Sequence, residues 1–372
     1  MALQFVFGNS GSGKSHYLHN YIVKEAIEHP KRNYLVLVPE QFTMQTQKDL
    51  VMAHPDKGIM NIDVLSFGRL AHRIFEEVGG NDRTILDDTG KSLVLRKIAG
   101  DYEQELKVLR GNLKKRGYIG EVKSIISEFA QYNVDEKAIN RVAESVGEQT
   151  YLYWKLQDIS KVYRGFHDYL SEKYITNEEL LDVLCQVVRK SAILEDSVIA
   201  LDGFTGFTPV QDQLIRELLH ICRDVIVTVT IDGKEDPYTF QHPYQLFALS
   251  KQMVTSLVRI AGEERVSIKD AVTLYGRTVY RFQGNEALAF LEQNLFRYSQ
   301  KTYGKNQSAI SLHCGRNPKE ETEFVMGEIR RLIREQGYRY REIAVIAGDV
   351  SVYADDILKA ADIYDIPIFM DY

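Results

Sequence analysis

Cysteine is scarce: Cys185, Cys222 and Cys314 are the only three in 372 residues. They lie far apart in apolar or strand-like contexts, which excludes a disulfide framework and a CxxC metal knuckle. They read as reduced thiols packed in the core of a cytoplasmic protein. No apolar run approaches the roughly 18 residues of a membrane span, and no signal peptide precedes the first apolar strand, so no membrane association is expected. Positive charge is not in excess either. Against 52 Asp and Glu stand 46 Lys and Arg, a formal charge of -6, which is not the balance of a free-standing nucleic-acid binder. Any nucleic acid is therefore met locally. Internal repeats and low-complexity linkers are missing as well. With 44% hydrophobic residues and more length than one typical domain needs, two domains are expected.

What is present first is an alternation of short apolar runs and helical patterns. "LQFVF" is followed by a helix over about 14–28, then "YLVLV" is stopped by Pro39, and "NIDVL" leads into "SFGRLAHRIFEEV". This is the βα rhythm of a parallel sheet covered by helices. From about Leu86 to Lys190 strand signals vanish and helix follows helix. In "YIGEVKSIISEFAQY" the residues Ile119, Val122, Ile125, Ile126 and Phe129 recur at helical spacing as one apolar stripe. Strand character returns in "SVIALDGF" and "DVIVTVTI", with a helix near 211–220 between them. The expected organisation is a P-loop sheet domain at 1–85 plus 191–235 and an inserted helical subdomain at 86–190. A mixed connecting region at 236–305 and the start of a second α/β domain at 306–372 complete it. That last part reads as a strand at "AISLHCG", a helix at "EETEFVMGEIRRLIREQG" and a strand at "IAVIAG". The final stretch is strand, helix, strand, and a lone βαβ unit cannot cover both faces of its sheet, so these residues are expected to be the N-terminal portion of a longer chain.

Gly8, Asn9, Ser10, Gly11, Ser12, Gly13, Lys14 and Ser15 spell "GNSGSGKS", which satisfies GxxxxGK[ST] between an apolar strand and a helical pattern. Glycines let backbone N–H groups converge on phosphate, and the helix N-terminus adds partial positive charge. Lys14 reaches the outer phosphates and Ser15 can ligate Mg²⁺, so ATP and Mg²⁺ are the expected cofactors. Hydrolysis needs more: a carboxylate on the metal, a group that orients water, and an arginine. Asp202, at the carboxyl end of a strand in "VIALDGFTGFTPVQ", is the candidate metal carboxylate, with turn capping as the alternative.

These features join into a pattern that resembles the UvrD-like superfamily 1 helicases, and within them the AddB/RexB family, the B subunits of bacterial AddAB (RexAB) helicase-nucleases. The residues that carry the resemblance are the N-terminal "GNSGSGKS", the helical insertion, and "LDGFTGFTPVQDQLI" in the place of a Walker B segment. "LVPEQFT", "VLSFGRLAHRIFEEVGG", "ILDDTGKSLVLRKI", "KEETEFVMGEIRRLI" and "YREIAVIAGD" support it. The resemblance implies a RecA-like P-loop domain with an inserted helical subdomain, followed by part of a second RecA-like domain. It covers the N-terminal part of a family member; the nuclease domain and an iron–sulfur cluster are implied for the full-length protein and not for these residues.

The departures from an active motor are as informative. A motor reads "DEFQD" where this chain reads "LDGFTG", so Asp202 stays and the water-polarising carboxylate is replaced by Gly203. After "VIVTVTIDG" the chain runs "KEDPYTFQHP", without the glutamine and arginine of a GDxxQ-I-Y-xFRG segment. No adenine-recognition glutamine precedes the loop, and "IAVIAGDVS" lacks the arginine a motor carries there. No catalytic residue is therefore assigned. The resemblance implies a site that binds ATP without efficient turnover, in a subunit that scans single-stranded DNA at broken ends for a Chi-type sequence while an AddA-like partner supplies the motor. The implied reading surface comprises Gln41, Thr43, Phe67, Arg69, His72 and Phe207, with Phe204 as a further candidate. Aromatic faces stack on unpaired bases, amide and hydroxyl groups bond base edges, and arginine holds phosphate or guanine. From the residues alone, Phe67 reads equally as core and "RLAHRIF" as an ordinary amphipathic helix. The basic "LKKRG" at 113–117 reads as a solvated turn. Two other readings stay open: an active superfamily 1 DNA-dependent ATPase, and a non-catalytic scaffold for the partner.

Overall fold

The structure, a computed structural model, describes residues 1–80, 82–113, 115–170, 173–276 and 279–370. Of the basic stretch 113–117, Lys114 lies outside the described residues. The chain divides into two compact units, Met1–Ser299 and Gln300–Tyr372.

The first unit is built on a parallel sheet. Its strands are β1 (Ala2–Gly8), β2 (Tyr34–Leu37), β3 (Ile62–Leu65), and, after the short β4 (Thr84–Leu86) and β5 (Tyr174–Thr176), β6 (Val198–Leu201), β7 (Asp224–Thr230), β8 (Ser267–Ile268) and β9 (Val272–Leu274). The order is β3-β2-β6-β7-β1-β8, with β9 also on β1, and every pairing is parallel. Near-continuous apolar strands such as "YLVL" and "VIAL" are what a sheet covered on both faces demands. The alternation along β1 makes the division: Leu3, Phe5 and Phe7 enter one core, Val6 the other. Helices α1 (Lys14–Glu28) and α2 (Thr43–Ala53) bring Leu18, Ile22 and Leu50 to the second face. Helix α3 (Phe67–Val78) covers the first.

Between β4 and β5 the chain leaves the sheet as α4 (Asp88–Asp101), α5 (Arg116–Gln131), α6 (Glu136–Val146) and α7 (Tyr151–Leu170). These have their own core, in which Ile119, Val122 and Ile126 of the anticipated stripe are buried, with Ile125 and Phe129 packed against them. The insertion is shorter than its expected 86–190. Strands β4 and β5 pair as a two-stranded parallel neck, with β4 at the border of the stretch read as strandless and β5 inside it. Past it, α8 (Leu180–Val187) returns Leu180 and Leu184 to the sheet's core. An isolated apolar helix carries no mark of which core it joins; only the closing of the neck decides it.

One carboxylate organises the inserted helices. Asp158 on α7, 1% exposed, accepts hydrogen bonds from the backbone N–H groups of Lys107, Val108 and Leu109 at 2.6–3.0 Å, pinning the α4–α5 connection. Asp158→Ala takes the acceptor from three backbone donors, of which that of Leu109 is buried, and is expected to cost about 1–3 kcal/mol, read as a lower urea midpoint. An unchanged midpoint overturns this role.

Helices α9 (Pro209–Ile221) and α10 (Ala248–Glu263) complete the first face with Leu214, Leu218, Val254 and Leu257. The stretch expected as a mixed connector, 236–305, is therefore largely part of the sheet domain: α10 covers it, and β8 and β9 extend its edge. Helix α11 (Glu286–Asn294) follows. In the second unit, α12 (Pro318–Gln336) has Asn317 as its N-cap, Pro318 in the first turn and a left-handed Gly337 at its end; α13 (Val350–Tyr364) packs against it through Met326, Ile329, Ala360 and Ala361. The runs read as strands, "AISLH" and "IAVIA", form no ladder among the described residues. Leu312 and Ile346 are 98% and 92% exposed. An apolar run becomes a strand only where its N–H and C=O groups find a partner. Cys185 is half-buried and Cys222 buried, but Cys314 is exposed, so the core reading fails for that thiol.

Candidate nucleotide and nucleic-acid site

Because all strands run parallel, the turns after β1, β2, β3, β6 and β7 meet at one carboxyl edge, where open α/β sheets hold ligands. Every residue singled out as a site candidate lies on these turns or in the first turns of the helices they open.

The phosphate loop joins β1 to α1. Gly11 and Gly13 have φ of 75° and 93°, left-handed conformations that glycine adopts without cost. Gly13 is the N-cap of α1 and supplies no side-chain acceptor, so the first N–H groups of the helix stay open to an anion. Lys14 folds back over the loop, its Nζ donating to the carbonyls of Gly8 at 3.1 Å and Asn9 at 2.9 Å. Burial lowers its pKa to about 8, opposed by the charge of Asp202 and assisted by that of Arg281. Ser10 and Ser15 are exposed, while the Ser12 hydroxyl is buried without a hydrogen-bond partner. A ring of open N–H donors with a lysine parked on carbonyls is a donor set that fits polyphosphate. For a divalent ion the protein offers the Ser15 hydroxyl and the Asp202 carboxylate. Among the described residues no group of three His, Cys, Asp or Glu could hold one, so most ligands would come from phosphate and water.

Asp202 follows β6 and is 6% exposed. Its Oδ1 accepts from the Thr228 hydroxyl at 2.6 Å, and its Oδ2 lies 3.7 Å from His19 Nε2. That imidazole, on α1, is held toward its neutral form by burial, against the pull of Asp202, and its Nε2 has no hydrogen-bond partner. Gly203 has φ 79°. The departure at this position is thus built into the backbone, since any side chain there, a water-polarising glutamate included, meets a left-handed strain of about 1 kcal/mol.

The DNA-facing candidates divide. Gln41, Arg69 and His72 are exposed, on the turn after β2 and the first two turns of α3. Arg69 Nε donates to Glu40 at 2.8 Å, which ties the two turns into one rim. Phe207 is half-buried. Two candidates are corrected. Thr43 is 4% exposed and its hydroxyl is spent on the Glu40 carbonyl at 2.9 Å. Phe67 is 6% exposed and packs against Phe204 and Phe207, ring centres 5.4 and 6.2 Å away. Both point inward because the first turn of each helix must close against the sheet. Beside them Phe42 is 50% exposed, an aromatic ring at the rim that sequence reading passed over.

Three more residues at the phosphate loop were missed. His19 is one. Arg281, in the 3-10 turn Tyr280–Phe282, donates its backbone N–H to the Gly11 carbonyl at 3.2 Å. Glu292 on α11 accepts from Asn9 Nδ2 at 3.5 Å and from Arg297 at 3.1 Å. No motif spacing marks Arg281 or Glu292, whose sequence distance from the loop is about 270–280 residues; for His19, four residues beyond Ser15 on the buried face of α1, the amphipathic pattern was a usable signal.

Residues 5–292 match the model of the family described as "ADDB, N-terminal". The chain is 43% identical over its whole length to a protein of Lachnoclostridium phytofermentans named as the B subunit of an ATP-dependent helicase/deoxyribonuclease, covering 33% of that protein. Proteins of the same name from Clostridium kluyveri and a Thermoanaerobacter species are 33% and 34% identical, again over the whole chain and 32% of each relative. The chain thus spans about a third of the length of the curated relatives it matches. A parallel α/β sheet bearing the phosphate loop, a helical insertion and a family match over most of the sequence lead to one assignment: this chain belongs to the AddB N-terminal family.

Proposed function

We propose that this chain is the N-terminal, helicase-like part of the B subunit of a bacterial helicase-nuclease that processes double-strand DNA breaks for recombinational repair in the cytoplasm. It holds ATP at Gly8–Ser15 without serving as the motor, and scans single-stranded DNA for a Chi-type sequence beside an AddA-like motor and nuclease subunit. The observation that carries this reading is a complete phosphate cradle beside a left-handed Gly203, where a motor has its base.

In this reading Mg²⁺ neutralises the phosphates; Ser15 ligates it and Asp202, oriented by Thr228, faces it. Lys14 leaves the carbonyls of Gly8 and Asn9 for the outer phosphates. Gly203 offers no side chain to take a proton from water where a motor carries its carboxylate, so in this reading the bound nucleotide acts as structure.

The DNA strand runs over the rim of Gln41, Phe42, Arg69 and His72, with Phe207 at its border. The Arg69–Glu40 pair is exposed, worth about 0–1 kcal/mol, and is released to a base or phosphate at little cost. The test is binding of a Chi-containing and a scrambled oligonucleotide to the full-length complex at fixed salt. Arg69→Ala is expected to weaken the Chi strand about tenfold, in the range of one lost base contact, with a smaller effect on the scrambled strand. Equal affinities for parent and variant would sink the rim assignment.

A further inference from the structure

We propose that Arg281 is a phosphate-binding residue of the nucleotide site, its guanidinium gripping the outer phosphates opposite Lys14. This deepens the nucleotide reading above and rests on it.

Three observations converge. The turn Tyr280–Phe282 is seated on the phosphate loop. Besides the Arg281 N–H bond to Gly11 at 3.2 Å, the arginine side chain lies so close that a Cβ on Gly11 would sit 2.6 Å from Arg281 Cβ and 3.3 Å from its Nε. The guanidinium is therefore launched from the middle of the cradle. Second, it is exposed, and among the described residues it holds no carboxylate and no hydrogen-bond acceptor. Its neighbour Arg297 differs: it is clamped by Asp232 at 2.8 Å and Glu292 at 3.1 Å. A planar fork of donors left open beside a ring of backbone N–H groups is complementary to phosphate. Third, the Arg281 charge acts on Lys14, together with those of Asp202 and Glu292, so a second cation stands near the lysine at the phosphate loop.

The position also has a functional sense. This arginine belongs to the same unit as the loop and is docked before any ligand arrives. It contributes to ground-state binding as much as to any later state, which raises affinity without raising turnover. That suits a nucleotide retained as structure.

The experiment measures dissociation constants of fluorescent ATP and ADP analogues for the full-length complex carrying parent, Arg281→Ala, Arg281→Lys or Lys14→Ala B chain, in a complex whose motor-subunit site is inactivated. Arg281→Ala is expected to weaken ATP about tenfold or more and ADP less, with an unchanged nucleotide-free melting midpoint. Arg281→Lys recovers part of the loss, since it keeps the charge and not the fork. Unchanged affinity in Arg281→Ala, tighter binding, or a loss that merely follows a lowered midpoint overturns the proposal. If Lys14→Ala abolishes binding and Arg281→Ala does not, the nucleotide reading stands and only this inference falls. If the parent complex takes up neither nucleotide, both fall.

Discussion

Replacing Lys14 with alanine is expected to abolish measurable nucleotide binding at this site, a loss of about a hundredfold or more, while leaving DNA unwinding by the assembled complex largely intact. The first half follows from the cradle. The lysine supplies a charge-assisted contact to the outer phosphates from a partly dehydrated position, where such bonds are at their strongest. The second half rests on the proposed non-motor reading, in which a site with Gly203 in place of a base does not set the unwinding rate. Calorimetry gives the first quantity and a helicase assay the second. Complete loss of unwinding in the variant would overturn the non-motor reading. The parent's titration carries a pH signature. With its pKa lowered to about 8, Lys14 is largely charged in the free site below pH 8 and loses its proton above it. Phosphate favours the charged form, so binding takes up a proton above pH 8 and weakens as pH rises. The same shift means that the free protein gains stability between about 8 and the ordinary lysine value, because the unfolded chain there holds more protons than the folded one.

Phe67→Ala is expected to destabilise the first unit by about 3–5 kcal/mol, the usual cost of emptying a buried aromatic site. The ring packs against Phe204 and Phe207 and belongs to the core shared with Leu70 and Ile74, so truncation leaves a cavity in that core. Urea unfolding of Phe67→Ala and Phe67→Leu separates this from a stacking role. The leucine variant should recover most of the stability, and single-stranded DNA affinity should follow the folded fraction. A variant that keeps its stability and loses DNA binding would return Phe67 to the reading surface.

These two residues mark the limits of what sequence alone makes legible. The phosphate loop is written in consecutive residues, and strand, loop and helix fall where the motif requires them, α1 beginning at Lys14 itself. The covering of the sheet is legible for the same reason: runs such as "YLVL" and "VIAL" have no polar face to offer water. Side-chain direction in the first turn of a helix is not local. Phe67 and Arg69 are two positions apart on α3, and only the packing of that helix on the sheet sends one inward and the other to the rim.

By itself, the sequence determined the parallel α/β class, the phosphate-loop motif, the run of inserted helices and a glycine at position 203. Each is encoded in contiguous residues or in a short-period pattern. The tertiary structure decided the rest: that α8 belongs to the sheet's core, that Thr43 and Phe67 face inward, that β9 borders the phosphate strand, and that Arg281 rests on Gly11. Those facts depend on contacts between residues tens to hundreds of positions apart, for which neither spacing nor composition carries a signal, because they are settled only when the chain closes its sheet and excludes water from both faces.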